Sequence, residues 1–347
     1  MSRPAAGAAP ALLAETTRWL HGHGGRMRGP GAAADRGTGP AELVECRHVG
    51  HAVVVAPNGR VLVLGDPQRV TFARSAVKPF QAAASLELAG RDLPDRLVAV
   101  GWASHLAEPP HLSAVRELLE VAALSPDDLT TPAVGVSAGS EVATARLRHN
   151  CSGKHALFAL AGKAVGCRGA ALLDPDGPLQ RHVLATVATA TGPIAGVGVD
   201  GCGAPAVAIP LAGLARAFRD LARSDGRWSR GAAAGRAEPL MVGGTGRLET
   251  ALLTRGVVAK PGAEGVFGAG WRDAHGGTWG AAIKVEDGAQ RASSAALHAL
   301  LADAGVVQAE VWQPPPVLGG GRPAGSVRAA GPVLGLAEQL RGVGLRC

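Results

Sequence analysis

The sequence predicts a mixed fold, α/β in the α+β sense, opened by antiparallel strands. Three observations carry this. Residues 51–56 and 60–65 are two apolar runs joined at Asn58-Gly59, a pair that supplies the positive φ angles of a tight hairpin turn. Apolar segments at helical spacing follow, the clearest at 111–124 with Leu112, Val115, Leu118 and Leu119. A further strand pattern at 278–286 ends at Asp287-Gly288. A chain opened by a hairpin is not a βαβ unit.

The elements then fall in order. Residues 12–18 read as a short strand, and 19–40 as a flexible insertion of Gly, Arg, His and Pro. A helix is predicted from Ser75 to Ala89, because Pro79 is tolerated only in a first turn and Gly90 supplies a stop. Residues 97–102 read as a buried strand. Helices are predicted over 156–165, 176–191 and 211–223, with 224–236 a loop. Residues 250–260 and 266–270 flank an expected turn at Pro261-Gly262, and 292–302 is the last clear helix. The Gly/Pro-rich tail at 314–347 carries no clear element. No break is clean enough to divide the chain, so 1–347 is expected to be a single domain.

Composition bounds the function. The chain has 347 residues, 47% of them apolar, enough for a full core, but only 3% aromatic and no Tyr. Net charge is +7, yet the Arg residues are scattered and aromatic stacking platforms are few, which argues against nucleic acid. The five cysteines, at 46, 151, 167, 202 and 347, make no secreted disulfide framework. Neither a signal peptide nor a run of about 20 apolar residues is found, so a cytoplasmic protein with no membrane partner is expected.

Three polar clusters carry chemistry. The first is Arg74, Ser75 and Lys78. Ser75 and Lys78 form the only Ser-x-x-Lys in the chain, and residues three apart share one helix face. A neutral lysine there can take a serine proton and make a nucleophile. Of 35 Lys and Arg only five are Lys, so lysine stands where a removable proton is needed. The second cluster is Ser104 with His105 and Glu108. The third is Cys151, Lys154 and His155, with Asp200 and Cys202 downstream. Cys151 and Cys202 are candidate soft ligands for Zn2+, with a third ligand to come from His155, Asp200 or Lys154. Neither a P-loop nor a dinucleotide fingerprint is present.

Taken together, Ala73–Pro79, Ala103-Ser-His105, Asn150–His155, Asp200-Gly-Cys202, Gly244-Thr-Gly-Arg247, Lys260–Gly265 and Lys284–Gly288 resemble, in this order, the rhizobial-type (class 3) L-asparaginases, also known as asparaginase II. The resemblance runs from about residue 41 to 305. It implies an antiparallel sheet flanked by helices plus a helical part, similar to serine β-lactamases and glutaminases. It implies hydrolysis of L-asparagine to L-aspartate and ammonia by two Ser-Lys pairs. Ser75 with Lys78 is the attacking pair, and Ser104 with Lys260 relays protons. It further implies zinc at Cys151, Lys154 and Cys202, with Asp200 orienting that shell. Arg74, His155 and Asp200 stand beside the substrate, and a homodimer is expected. The alternatives are a Ser/Lys acyl-enzyme hydrolase acting on glutamine or a β-lactam-like amide, and a non-catalytic zinc-binding relative. Leu106-Ala107 departs from the family pattern, which has a polar residue after Ser-His.

Overall fold

The computed structural model describes residues 7–20, 41–133, 142–223 and 225–345. The expected insertion at 19–40 lies, from residue 21 onward, outside the described residues, as does Cys347.

Eleven strands are described: β1 Ala11–Trp19, β2 Glu42–Val55, β3 Val61–Leu64, β4 Val70–Phe72, β5 Gly196–Val199, β6 Pro205–Pro210, β7 Val258–Gly262, β8 Val266–Arg272, β9 Thr278–Val285, β10 Val317–Gly319 and β11 Arg322–Ala329. Eight form one antiparallel sheet in the order β10-β11-β1-β2-β9-β8-β7, with β3 also paired to β2. The long β2 pairs β1 through its first half and β3 through its last four residues, Ala52 against Leu64 to Val55 against Val61. The hairpin at Asn58-Gly59 is therefore as predicted. A small second sheet runs β4-β6-β5.

The main sheet is buried on both faces. Along β2, Val53 and Val55 enter one core while Ala52, Val54 and Ala56 enter the other, the two-residue period of a strand. The second core is covered by the helices Gln290–Asp303 and Gly331–Gly342. The first, larger core is helical, with Phe80, Trp102 and Phe218 at its centre. The helix Leu211–Leu221 lies directly on β8 and β9. It can do so because Gly268 has no side chain: a Cβ there would sit 2.0 Å from the Phe218 ring.

Several expectations need correction. Residues 97–101 are not a strand but part of the helix Asp95–Gly101, with Pro94 at its N-cap position and Trp102 at its C-cap. A short all-apolar run has no period to separate strand from helix, and this one is buried on every side. Residues 229–236, within the expected loop 224–236, belong to the helix Ser229–Ala237. Its buried Ala and Gly residues carry little apolar signal. Pro261 and Gly262 end β7, and the turn falls later, at 263–265. The tail is ordered: β10 and β11 form a hairpin, β11 pairs β1, and the helix Gly331–Gly342 follows. That tail hides its strands because Pro323 and the glycines break any alternation, while pairing to β1 supplies the hydrogen bonds.

Candidate active site

The Ser75 region is built from a tight turn, not from one continuous helix. Residues Arg74–Val77 form a 3-10 turn, and the α-helix Lys78–Ala89 starts only after it, ending at Gly90 with φ 58°. Strand β7 runs against this turn. Gly262 makes that approach possible, since a Cβ there would lie 2.4 Å from the Ala73 carbonyl oxygen. The contact brings Lys260, two residues earlier on β7, to the Ser75–Lys78 segment.

Four of the five lysines are buried: Lys78, Lys154, Lys260 and Lys284. A buried lysine is rare unless its amine has partners, and the partners define the site. Lys260 Nζ donates to Ser104 Oγ at 2.7 Å, and Lys78 Nζ donates to the same oxygen at 3.0 Å and to the Ala103 carbonyl at 2.5 Å. The structure thus joins Ser104 to both lysines. The Ser75 hydroxyl makes no hydrogen bond to the Lys78 amine among the described residues; the two residues are joined only by the Lys78 amide donating to the Ser75 carbonyl, and the long lysine chain turns inward to the residue 103–104 loop. Burial, and next the nearby Lys78 charge, lower the Lys260 pKa to about 7. Lys260 can therefore gain and lose a proton near neutrality.

His105 is held neutral. Its Nδ1 accepts from the Ala107 amide at 3.1 Å, which leaves the proton on Nε2 to donate to Ser152 Oγ at 3.0 Å. Ser152 in turn donates to the Leu147 carbonyl at 2.8 Å. Burial, followed by the neighbouring His111 and Lys78, lowers the His105 pKa to about 3. This imidazole fixes the loop that carries Ser104. Glu108 accepts from the Thr245 amide at 3.2 Å and ties the same loop to the 243–246 turn.

Arg74 and Asp200 form a second polar centre. The Arg74 Nε and Nη2 both lie 2.9 Å from Asp200 Oδ1, and the Gly201 amide donates to that oxygen at 2.8 Å. Cys202 follows two residues on, where Lys154 Nζ donates to its Sγ at 3.1 Å. The neighbouring Cys202 side chain lowers the Cys151 pKa well below the ordinary thiol value, and the Cys151 side chain together with burial raises that of Cys202. Burial opposes the Lys154 charge, yet the Cys202 and Cys151 sulfurs raise its pKa overall. Two soft sulfurs and one amine in a buried cluster form a donor set that fits a zinc ion with a fourth position open. Among the described residues no three His, Cys, Asp or Glu side chains gather around a possible metal, so the set needs the Lys154 amine. His155 is fully buried and its pKa is pushed far down by that burial and by Lys154. It shares a 2.7 Å hydrogen bond with Thr130 Oγ1 through Nδ1, while its Nε2 has no partner among the described residues.

Sequence reasoning missed several residues here. Arg247 and the buried Glu249 pair at 3.3 Å and act electrostatically on Lys260. The motif Gly244–Arg247 pointed to this turn without giving it a role. Thr130 carried no signal, because it acts through one tertiary hydrogen bond, and Ser152 stood within the Asn150–His155 motif without a role.

Solved structures described as Mglu in its native form in the presence of 4.3 M NaCl and Mglu in its glutamate form are 14% and 18% identical. Each covers 75% of this chain, with TM-scores of 0.36 and 0.39. The chain spans 62% of the length of either. No curated protein matches the sequence. The profile of L-asparaginase II matches residues 36–329, and the chain belongs to that family of amide hydrolases.

Proposed function

We propose that the protein is an L-asparagine amidohydrolase that releases L-aspartate and ammonia. The observation that carries this reading is the convergence on the Ser104 hydroxyl of Lys260 and of Lys78, the residue that follows the turn carrying Arg74 and Ser75. Ser75 attacks the side-chain amide carbonyl, its proton passing to a neutral Lys78. The carbonyl carbon gains the Ser75 oxygen and ammonia departs with a proton delivered through Ser104 from Lys260. Water then attacks the acyl-enzyme, the same groups run in reverse, and aspartate is released. Arg74 pairs with the substrate carboxylate, and Asp200 holds the guanidinium in place. His155 and Asp200 border the same substrate position.

Cys151, Lys154 and Cys202 would hold the zinc ion, which when bound polarises or places a substrate oxygen. A specific observation favours a second assignment of the serines: Ser104, not Ser75, lies within hydrogen-bonding distance of two amines, either of which can take its proton when neutral. Glutamine and β-lactam-like amides are the competing substrates, and a cytoplasmic homodimer is the proposed state. The test is turnover by the purified chain, read as ammonia release from L-asparagine and L-glutamine and as ring opening of a β-lactam. Asparagine turnover is expected to dominate, and turnover of none of the three would overturn the reading.

A further inference from the structure

Of the four residues other than glycine that hold left-handed backbone among the described residues, two face each other across the site: Arg74 at φ 51° and Glu264 at φ 59°. Such conformations are unfavourable for a side chain and persist where the surroundings impose them, often at functional positions. Glu264 sits in the 263–265 turn that joins β7 to β8, on the same run of chain as Lys260. Its backbone carbonyl is gripped from inside by Lys284 Nζ at 2.7 Å, the one buried lysine that the proposed chemistry leaves unused. Lys284 also donates to the Val285 carbonyl at 2.6 Å, so the turn is anchored to β9.

The Glu264 carboxylate points the other way. Its side chain is 69% exposed, and its nearest cation is Arg74 Nη1 at 3.9 Å, beyond hydrogen-bonding distance. No hydrogen bond reaches its oxygens among the described residues. Asp200 differs, since its Oδ1 already takes two guanidinium nitrogens and the Gly201 amide. The Nε and Nη2 of Arg74 are thereby committed, and its Nη1 faces Glu264. A cation and an anion are thus fixed side by side without closing on each other, and both keep free hydrogen-bonding positions. That arrangement matches the head group of a free α-amino acid, whose carboxylate and ammonium are joined by a single carbon.

We infer that Glu264 receives the α-ammonium of an amino-acid substrate while Arg74 Nη1 receives its carboxylate. The site thereby selects free amino acids over N-blocked or deaminated amides. The inference rests on the proposed function for the amide end of the substrate and on Arg74 and Glu264 alone for the head group. The strained backbone has a physical purpose in this arrangement: Lys284 fixes the Glu264 peptide so that binding does not have to order it.

The experiment compares binding of L-aspartate and succinate, which differ by the amine alone, to the full chain by titration calorimetry. The variants are Glu264→Gln and Glu264→Asp. Wild type is expected to bind L-aspartate at least about tenfold more tightly than succinate, the worth of one charge-assisted hydrogen bond. Glu264→Gln brings the two ligands to near-equal affinity, and Glu264→Asp restores part of the difference. Because Glu264 is anchored through its carbonyl and not its carboxylate, both variants are expected to keep the wild-type melting temperature. With L-asparagine, Glu264→Gln raises KM and leaves kcat close to wild type. A wild type that does not distinguish the ligands, or a Glu264→Gln that still does, overturns the inference. A wild type that discriminates yet hydrolyses no amide supports Glu264 and overturns the asparaginase reading.

Discussion

Lys260 Nζ lies 2.7 Å from Ser104 Oγ, across 156 positions of sequence. The pair joins the end of a helix-capping loop to a buried strand, and it is shared with Lys78 at 3.0 Å. Lys260 has no exposure to water, which lowers its pKa to about 7, with the Lys78 charge adding to the effect.

A pH dependence follows from that shift. Lys260 delivers the leaving-group proton only when charged, so kcat/KM for L-asparagine is expected to fall as pH rises through a limb near 7. Lys260→Arg keeps a permanent charge and should abolish the limb, lowering kcat by roughly 100- to 10,000-fold. The same shift acts on stability. The folded protein releases the Lys260 proton at about 7, whereas the unfolded chain holds it to about 10.4. Between those values the unfolded state binds more protons, so this residue's contribution to stability grows as pH rises. Melting curves of wild type and Lys260→Met should therefore converge from pH 7 to pH 10, with the variant ahead at pH 7. Parallel curves across that window would contradict the assignment.

The two serines can be separated by single-turnover kinetics. If Ser75 attacks, Ser75→Ala removes acyl-enzyme formation, with a loss of at least about 1,000-fold, while Ser104→Ala slows both half-reactions but retains the covalent intermediate. Mass spectrometry of quenched enzyme places the acyl group. An adduct on Ser104 in wild type assigns attack to Ser104, in keeping with its two amine contacts.

Metal content is a separate matter. Purified protein is expected to carry about one zinc per chain, and Cys202→Ser to lose it. Chelation should lower the melting temperature of wild type and leave Cys202→Ser unmoved. A metal-free preparation whose melting temperature and activity are unaffected by added zinc would leave Cys151 and Cys202 as buried thiols beside Lys154.

The packing of β7 on the 74–77 turn has its own test. A Cβ at Gly262 would meet the Ala73 carbonyl oxygen at 2.4 Å and the Ala76 nitrogen at 3.3 Å, both rigid backbone atoms. Gly262→Ala is expected to cost roughly 1–3 kcal/mol, measured by denaturant unfolding. It should also reduce kcat, because it moves the turn that carries Ser75 away from the strand that carries Lys260. A variant with wild-type stability and kcat would show that the two backbones are not in close contact.

The residues of the site were largely legible as types. A chain so poor in lysine that buries four of its five lysines announces where amines matter. Local signals also fixed the Asn58-Gly59 hairpin and the Gly90 helix end, because turn chemistry and helix capping depend on a few neighbouring residues. What the sequence could not decide was pairing. Spacing joined Ser75 to Lys78, but the 3-10 turn and the reach of a four-carbon chain send Lys78 to Ser104. Residues 97–102 read as a buried strand, yet the fold makes Asp95–Gly101 a helix, because an all-apolar run has no period to tell the two apart. The tail strands exist because β1 offers an unpaired edge. The strain at Arg74 and Glu264, and the gap of 3.9 Å between their charges, come from β7 packing on the turn and from Lys284 holding a carbonyl. Chemistry-bearing types are written locally in this chain. Which amine meets which hydroxyl is decided by long-range packing, since a hydrogen bond depends on fractions of an ångström that no local pattern encodes.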